Sequence, residues 1–167
     1  MTALDCTRPG CIRLSIVVPC YNEARTLRTC LKRTLAVQDE ALRLEIIVVD
    51  DASTDDSLAI ARDVASQHSE VTVHRHEINQ GKGAALRTGI LKATGDIVAI
   101  QDADLEYDPR DLKRMIASIR EDSADVVLGT RFTLSGAHRV LYFWHYLGNR
   151  FLTLLSNMLT DLNLTDM

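Results

Sequence analysis

The sequence predicts an α/β domain with a doubly wound, mostly parallel sheet and helices on both faces. Short apolar runs alternate with segments of helical spacing as far as residue 129, which is the pattern of a parallel sheet. Residues 45–49 are almost entirely apolar, as expected for a strand that is covered on both faces. The length of 167 residues and the hydrophobic fraction of 46% fit one domain with an ordinary core.

Each element follows from a local pattern. The predicted strands are residues 14–18, 45–49, 71–76, 96–101 and 125–128. The predicted helices are residues 23–37, 55–67 and 83–93, and a fourth that starts at Pro109. We expect Pro19 to stop the first strand, and the alternating third strand to lie near an edge of the sheet. Apolar residues recur three or four positions apart in the helices, and proline suits a first helical position.

A different composition begins after the last strand. Residues 142–151 contain five of the eight aromatic residues, and apolar residues continue at helical spacing. We therefore divide the chain into a loose arm at residues 1–12, a ligand-binding domain at 13–135 and a helical tail at 136–167. The tail either closes the sheet or meets a partner chain in a homo-oligomer, or it lies on a membrane surface. Its few basic residues give the membrane alternative only weak support.

The overall charge and the cysteines exclude several classes of protein. A net charge of −4 and a pI of about 5.7 argue against nucleic acid as a partner, because duplex-binding proteins are usually basic. No run reaches the ~18 apolar residues of a membrane-spanning helix, and no signal peptide is visible. We expect a cytoplasmic location, with the cytoplasmic face of a membrane as the alternative. The four cysteines are expected to be reduced; a structural zinc site at Cys6 and Cys11 is the alternative, but no second ligand pair lies nearby.

Acidic residues follow two of the predicted strands. Asp102 and Asp104 come directly after the fourth strand, and Asp50 and Asp51 end the second. Because the carboxyl ends of parallel strands meet at one edge, where ligand crevices form, these carboxylates are expected to lie close together. Alone they would repel a diphosphate, whereas a bound cation would reverse the local charge. The pattern therefore predicts a cation site that faces a phosphate-bearing ligand.

Mg²⁺ or Mn²⁺ suits this set of oxygen ligands, because both accept one or two carboxylates together with ligand phosphates. We predict Asp104 as the surest metal ligand, Asp102 as a ligand or orienting residue, and Glu106 as a third ligand. The structural alternative is that an aspartate caps the helix that follows, as Asp108 before Pro109 would do.

Three further segments offer groups for a phosphate or a nucleoside. Residues 81–83 place glycines and Lys82 at a helix start, where amides attract anions, although neither the P-loop pattern nor the dinucleotide fingerprint is present. Arg131, after the fifth strand, could bind phosphate through two parallel hydrogen bonds. After the first strand, Tyr21 offers a stacking face and Glu23 an acceptor for a base or ribose. The structural alternatives are a glycine turn at residues 81–83, a surface ion pair for Arg131 and a helix-initiating acidic residue at Glu23.

Taken in order, four segments resemble the family 2 glycosyltransferases, which have the nucleotide-sugar-binding GT-A fold. They are IVVPCYNE at 16–23, VVDDASTD at 48–55, NQGKGAA at 79–85 and GDIVAIQDAD at 95–104. The stretch LGTRF at 128–132 and the tail are similar to the branch that transfers sugars to dolichyl or polyprenyl phosphate. These five ordered motifs together are far more specific than any one of them.

The resemblance implies a donor, an acceptor and a role for each matching residue. The donor would be a UDP- or GDP-linked hexose, and the acceptor a polyprenyl phosphate, with inversion in a single displacement and release of a nucleoside diphosphate. Asp104 and Arg131 are the implied catalytic residues. The nucleoside would be held by Pro19, Tyr21, Glu23 and Asp50 or Asp51, the metal and diphosphate by Asp102, Ala103, Asp104 and Glu106, and the acceptor phosphate by Arg131.

A lipid phosphate needs no general base, because its second pKa near ~6 leaves it anionic at neutral pH. The closest alternative is transfer to a sugar hydroxyl, which would require a carboxylate base, and Asp166 is a poor candidate for it. A non-catalytic nucleotide-binding module is a second alternative. A signalling receiver domain is disfavoured, since it would need an acidic pair after strand one and a lysine after strand five, and Pro19 and Arg131 stand at those points.

Two departures from the family pattern lead to expectations. Ala52 stands where the family often has glycine, so we expect the turn after Asp51 to avoid positive φ. The chain stops at Met167, whereas family members usually continue, often with membrane-spanning segments. We therefore expect a fragment that binds the donor and lacks part of the acceptor site.

Overall fold

The computed structural model describes residues 11–121, 124–129 and 143–160. Eight elements lie in the first of these ranges: β1 (Ile12–Cys20), α1 (Leu27–Leu35), β2 (Leu42–Asp50), α2 (Ser57–Gln67), β3 (Val71–Arg75), α3 (Lys82–Lys92), β4 (Ile97–Ile100) and α4 (Asp111–Arg120). A ninth, α5 (Phe143–Thr160), lies in the last range. Contacts divide the chain into two compact units, Met1–Ser123 and Ala124–Met167.

The strands of the first unit form one parallel sheet in the order β3-β2-β1-β4. The chain moves outward from β1 to β3 and then returns across β1 to place β4 on its other side. This reversal makes the sheet doubly wound, as predicted, and β3 is an edge strand, also as predicted. The topological switch point lies between β1 and β4, so a ligand crevice is expected at the carboxyl ends of these two strands.

Helices cover both faces of the sheet, as predicted. The larger apolar cluster includes Leu14 and Ile46 of the sheet and packs them against α1, α2 and α4. The smaller cluster joins Ile47 and Val49 to Ala85 of α3 on the opposite face. β1 and β2 are thus buried on both faces, which explains their nearly continuous apolar sequence.

Glycine allows α3 to lie close to the sheet. A Cβ added at Gly89 would stand 2.3 Å from Cγ1 of Val17, which is far inside van der Waals contact. The side chain of Val17 is fully buried, so it has little room to move away. This close approach fixes the height of α3 above the central strand, and with it the position of the helix start.

Pro19 does not stop β1, contrary to the prediction. It pairs with Val49 within the strand, and β1 continues to Cys20. Along β1, the backbone groups of successive residues point alternately toward β2 and toward β4. The carbonyl of Cys20 accepts a hydrogen bond on the β2 side, and the carbonyl of Val17 accepts one on the β4 side. The nitrogen of Pro19 therefore faces the side of β4, whose pairing ends at Ile100 opposite Val17. A missing N–H costs nothing where the neighbouring strand has already ended.

Other boundaries also shift. The turn at residues 24–26 delays the first helix to Leu27, and the fourth begins at Asp111 rather than at Pro109. The predicted fifth strand is wrong for the described part of the chain: residues 124–129 contain no strand, and Val126 is exposed. A short apolar run becomes a strand only when another strand pairs with it, and periodicity cannot reveal that partner.

The cysteines differ in state. Cys11 is disulfide-bonded, so the expectation that all four are reduced thiols is wrong. Cys20 and Cys30 are free and buried. Burial raises the pKa of each thiol to about 11, which keeps both protonated at neutral pH and makes thiolate metal ligation unfavourable.

The second unit contains α5, which confirms a helical tail within the described residues. Its exposed apolar side chains include Trp144, Phe151, Met158 and Leu159. Across the described ranges, none of the helices combines the length and the apolar character that crossing a bilayer requires. The predicted domain division at residues 135 and 136 stays a prediction. Residues 1–10 of the predicted arm, Arg131 and Asp166 lie outside the described residues.

Candidate functional site

A cleft of ≈ 380 Å³ lies at the carboxyl ends of β1 and β4, beside the start of α3. Eight of the predicted site residues line it: Pro19, Tyr21, Glu23, Asp51, Lys82, Asp102, Ala103 and Asp104. The structure therefore brings together most of the residues that the sequence placed in one site. Asp50 and Glu106 are not part of the lining, and Arg131 lies outside the described residues. The individual roles of all these residues remain predictions.

Asp51, at the end of β2, is buried and makes several hydrogen bonds. Its Oδ1 accepts from Nδ1 of His76 at 2.6 Å and from the backbone amide of Gln80 at 3.0 Å. Its Oδ2 accepts from the amide of Gly81 at 2.7 Å and from that of Gln80 at 3.2 Å. Burial alone would raise the pKa of Asp51, but the bonds from Gln80, His76 and Gly81 hold it below its usual value.

Asp50, its neighbour, is fully buried and has an unused acceptor. Its Oδ2 accepts from the amide of Ser53 at 3.3 Å and lies 3.6 Å from Nε of Arg75. Among the described residues, its Oδ1 is buried and has no hydrogen-bond partner. A buried carboxylate oxygen without a donor is costly, and this side chain does not line the cleft.

His76 was not identified from the sequence. It follows β3, where no periodicity marks it, and its Nε2 lies 2.9 Å from Oγ1 of Thr88 on α3. Its backbone amide donates to the carbonyl of Asp50 at 2.9 Å. Its contacts join the end of β2 to α3 and span 12 to 26 positions of the chain, so no local signal could have found them.

The acidic loop, residues 102–106, follows β4, and hydrogen bonds fix its backbone. The carbonyl of Asp102 accepts from Nε2 of the buried Gln101 at 3.1 Å and from Sγ of Cys30 at 3.5 Å. Oδ1 of Asp104 accepts from the backbone amide of Glu106 at 3.0 Å, and Leu105 between them has φ +66°. The backbone of this loop is therefore ordered, while the carboxylate of Asp104 is exposed to the cleft and solvent.

Lys82 occupies the position next to the first carboxylate of this loop. Its Nζ lies 2.7 Å from Oδ1 and 2.8 Å from Oδ2 of Asp102. Lys82 is the first residue of α3, so a cationic group and the positive end of a helix face the same cleft. This is an arrangement that attracts an anion.

The carboxylates fit a divalent ion that a ligand helps to hold. Among the described residues there is no group of three or more His, Cys, Asp or Glu side chains that could bind a metal by themselves. Asp102 and Asp104 supply oxygen ligands at the cleft, and Nζ of Lys82 already shows that a cation is stable beside Asp102. Mg²⁺ is commonly bound in this way, by one or two carboxylates together with phosphate oxygens. Glu106 as a third ligand stays a prediction.

On the other side of the cleft, Tyr21 presents an exposed ring and Glu23 has a structural contact. Tyr21 is 48% exposed, so its face is free to stack on a planar group. Oε2 of Glu23 accepts from the hydroxyl of Thr26 at 2.7 Å, and the Glu23 carbonyl accepts the amides of Thr26 and Leu27. Glu23 therefore contributes to the start of α1, as the structural alternative proposed.

The turn after Asp51 differs from the prediction. Ala52 has φ +59°, so the expectation that alanine avoids positive φ here is wrong. The amide of Asp51 is bonded to the carbonyl of Cys20 at 2.8 Å, and the amide of Ser53 to Asp50. These bonds on both sides hold the alanine in a left-handed conformation that costs roughly 1–2 kcal/mol.

The chain is similar to several known proteins. The model of glycosyl transferase family 2 matches residues 15–165 of the chain. The dodecaprenyl-phosphate galacturonate synthase of Rhizobium johnstonii is 34% identical over 72% of this chain and 36% of its own length. The dolichol-phosphate mannosyltransferase of Pyrococcus furiosus is 31% identical over 75% of this chain and 35% of its own. The chain thus spans about a third of the length of these relatives.

Among solved structures, the chain is similar to a mannosyltransferase from Pyrobaculum calidifontis in complex with GDP-Man and Mn²⁺. The TM-score is 0.52 at 37% identity, over 60% of this chain and 30% of that one. The matched protein holds a nucleotide sugar together with a divalent ion.

Proposed function

This chain belongs to glycosyl transferase family 2, and on that premise we propose that it transfers a hexose from a nucleotide-diphosphate sugar to a polyprenyl phosphate. The observation that carries the proposal is the meeting of three groups in one cleft: Asp102, Asp104 and the start of α3 with Lys82. Carboxylates alone would repel a diphosphate, and a helix start alone is a weak anion site. Together with a divalent ion they form a site for pyrophosphate.

We propose that the donor lies across the carboxyl ends of the strands. The exposed ring of Tyr21 would stack on the base. Lys82 would leave Asp102 and pair with a phosphate oxygen. Mg²⁺ or Mn²⁺, held by Asp102 and Asp104, would neutralise charge on the diphosphate and favour its departure.

The acceptor proposal rests on the relatives. The names of two relatives include a polyprenyl phosphate, dodecaprenyl phosphate in one and dolichol phosphate in the other. The sugars in these names differ, galacturonate and mannose. A polyprenyl phosphate is therefore the better supported half of the reaction, and the identity of the sugar stays open between GDP-linked and UDP-linked hexoses.

The reaction needs few protein groups. An oxygen of the acceptor phosphate attacks the anomeric carbon, the bond from that carbon to the diphosphate oxygen breaks, and a nucleoside diphosphate leaves. The attacking oxygen is already anionic at neutral pH, so no side chain has to remove a proton. The protein has to align the two phosphates, and Arg131 is the predicted contact for the acceptor.

We propose that α5 brings the chain to a membrane surface, where a polyprenyl phosphate would be found. Its exposed Trp144, Phe151 and Leu159 would enter the interface. The predicted location is the cytoplasmic face of the membrane. The alternative is that the same side chains meet a partner chain.

A panel of nucleotide sugars tests the donor half of the proposal. Thermal melting of the chain is measured with Mn²⁺ and with GDP-mannose, UDP-glucose or UDP-N-acetylglucosamine in turn. One of them should raise the melting temperature, and its nucleoside diphosphate should do so as well. If none raises it while Mn²⁺ is present, the chain is not a nucleotide-sugar-binding domain.

A further inference from the structure

We propose that His76 is a positioning residue for the donor site, and that it acts through Asp51 on the backbone at the start of α3. The inference rests on the function proposed above, because it concerns the diphosphate part of the same cleft. It gives Asp51 a structural role in addition to the nucleoside contact that the sequence predicted.

The hydrogen bonds of Asp51 tie its carboxylate to His76 and to the segment of chain before α3. Four contacts of 2.6 to 3.2 Å reach its two oxygens, from His76, Gln80 and Gly81. The side chains of Asp51 and His76 are only 4% and 10% exposed. An ionised carboxylate only accepts, so Nδ1 of His76 carries the proton and donates it. Asp51 therefore binds the segment of chain before α3.

His76 lies between Asp51 and α3 and fixes the position of the Asp51 carboxylate. Its Nε2 contacts the hydroxyl of Thr88 at 2.9 Å, so the imidazole is fixed at both nitrogens between β2 and α3. The backbone amide of His76 donates a hydrogen bond to the carbonyl of Asp50 at 2.9 Å, which fixes the backbone of His76 beside the end of β2. A histidine fixed at both ring nitrogens sets the orientation of the carboxylate that it contacts.

The held segment is the one that presents the phosphate-binding groups. Gly81 has φ +87°, and its carbonyl accepts the amides of Ala84 and Ala85, which begin α3. Lys82 follows immediately and reaches Asp102. Fixing the amides of Gln80 and Gly81 therefore fixes the direction of the first turn of α3 and the reach of Lys82.

Four variants separate this role from general stability. In His76→Phe the ring volume is kept and both hydrogen bonds are lost. In His76→Asn an amide that can donate to Asp51 is restored, and in Thr88→Val only the far contact is removed. The matched control is His74→Phe, the same substitution two residues earlier on β3, at a histidine that takes no part in this network.

The first measurement needs no ligand: hydrogen exchange of the Gln80 and Gly81 amides. His76→Phe should speed their exchange at least about tenfold, the value of one hydrogen bond to a charged group, and Thr88→Val should speed it less. His76→Asn should restore much of the protection, and His74→Phe should leave it unchanged. Unchanged exchange in folded His76→Phe, or in Thr88→Val if His76→Phe does not fold, would overturn the proposal.

The second measurement compares nucleotides with Mn²⁺ present: UDP with UMP, or GDP with GMP, whichever pair the unaltered chain binds. His76→Phe should weaken diphosphate binding about tenfold and leave monophosphate binding within about twofold. An equal loss for both nucleotides would overturn the positioning role. If the unaltered chain binds neither pair, the donor function fails, while the exchange measurement still tests the connection from His76 to Gly81.

Discussion

Two pairs of carboxylates follow strands at the same edge of the sheet, and they differ in how much of their hydrogen-bonding capacity the protein uses. At the end of β2, Asp51 is buried and receives hydrogen bonds on both oxygens. In the acidic loop, Asp104 is exposed and receives one backbone amide, and Asp102 is paired with the exposed Lys82. The first pair is part of the folded framework. The second is ordered in its backbone and leaves its side chains available to a ligand.

The largest expected effect is on stability. Asp51→Ala would leave the amides of Gln80 and Gly81 and the imidazole of His76 without their acceptor in a buried place. The free energy of unfolding should fall by about 3 kcal/mol, since several buried donors lose one charged partner. Urea unfolding followed by circular dichroism measures this. A loss below about 1 kcal/mol would mean that Asp51 is not part of the framework.

Asp104→Ala should weaken ligand binding and leave the stability of the fold nearly unchanged. Its carboxylate is exposed, so the free energy of unfolding should change by less than about 0.5 kcal/mol. Metal-assisted binding of a nucleoside diphosphate should fall about 100-fold, because a direct ligand of the ion is lost. Calorimetry with Mn²⁺ measures the binding. The control is Asp108→Ala, in the same region, whose carboxylate is paired with Arg110 at 2.5 Å and should not matter for binding.

Lys82→Met sharpens the comparison, because two ligands should respond in opposite directions. Nucleoside diphosphate with Mn²⁺ should bind about tenfold more weakly, since the phosphate loses a cation. Mn²⁺ alone should bind about threefold more tightly, since it no longer competes with Lys82 for Asp102 and an exposed ion pair is worth about 1 kcal/mol or less.

Lys92→Met, the same change at the other end of α3, is the control for Lys82→Met and should alter neither affinity. Weakening of both ligands in Lys82→Met would show that the lysine supports the fold of the loop and does not compete with the ion.

The smallest expected effect is a difference in acid stability. The hydrogen bonds of Asp51 lower its pKa in the folded state, against the effect of burial. A carboxylate with a lowered pKa stabilises the fold above its unfolded pKa, and this stabilisation is lost as pH falls through the folded pKa. The chain should therefore lose stability below about pH 4, and Asp51→Asn should show a shallower loss over that range. A parallel fall in both proteins would exclude Asp51 as a source of the acid sensitivity.

The comparison also explains what the sequence could reveal. The strands, the doubly wound order and the edge position of β3 follow from local patterning and from the rules of chain connection. The grouping of eight site residues follows from the same logic, because parallel strands bring their carboxyl ends to one edge.

What local patterns could not reveal depends on contacts between distant residues. The bond from His76 to Asp51 spans 25 positions, and the positive φ of Ala52 is held by bonds to Cys20 and from Ser53. Pro19 is tolerated in β1 only because β4 ends before it. The run at residues 125–128 looks like a strand but forms none in the described part of the chain, since a strand requires a partner.

The central claim is that a divalent ion and a nucleoside diphosphate bind together at Asp102 and Asp104. Isothermal titration of UDP and of GDP into the chain, with Mn²⁺ and again with EDTA, tests it most directly. At least one nucleotide should bind with Mn²⁺ and lose at least about tenfold in affinity with EDTA. Equal affinity under both conditions, or no binding of either nucleotide with Mn²⁺, would contradict the claim.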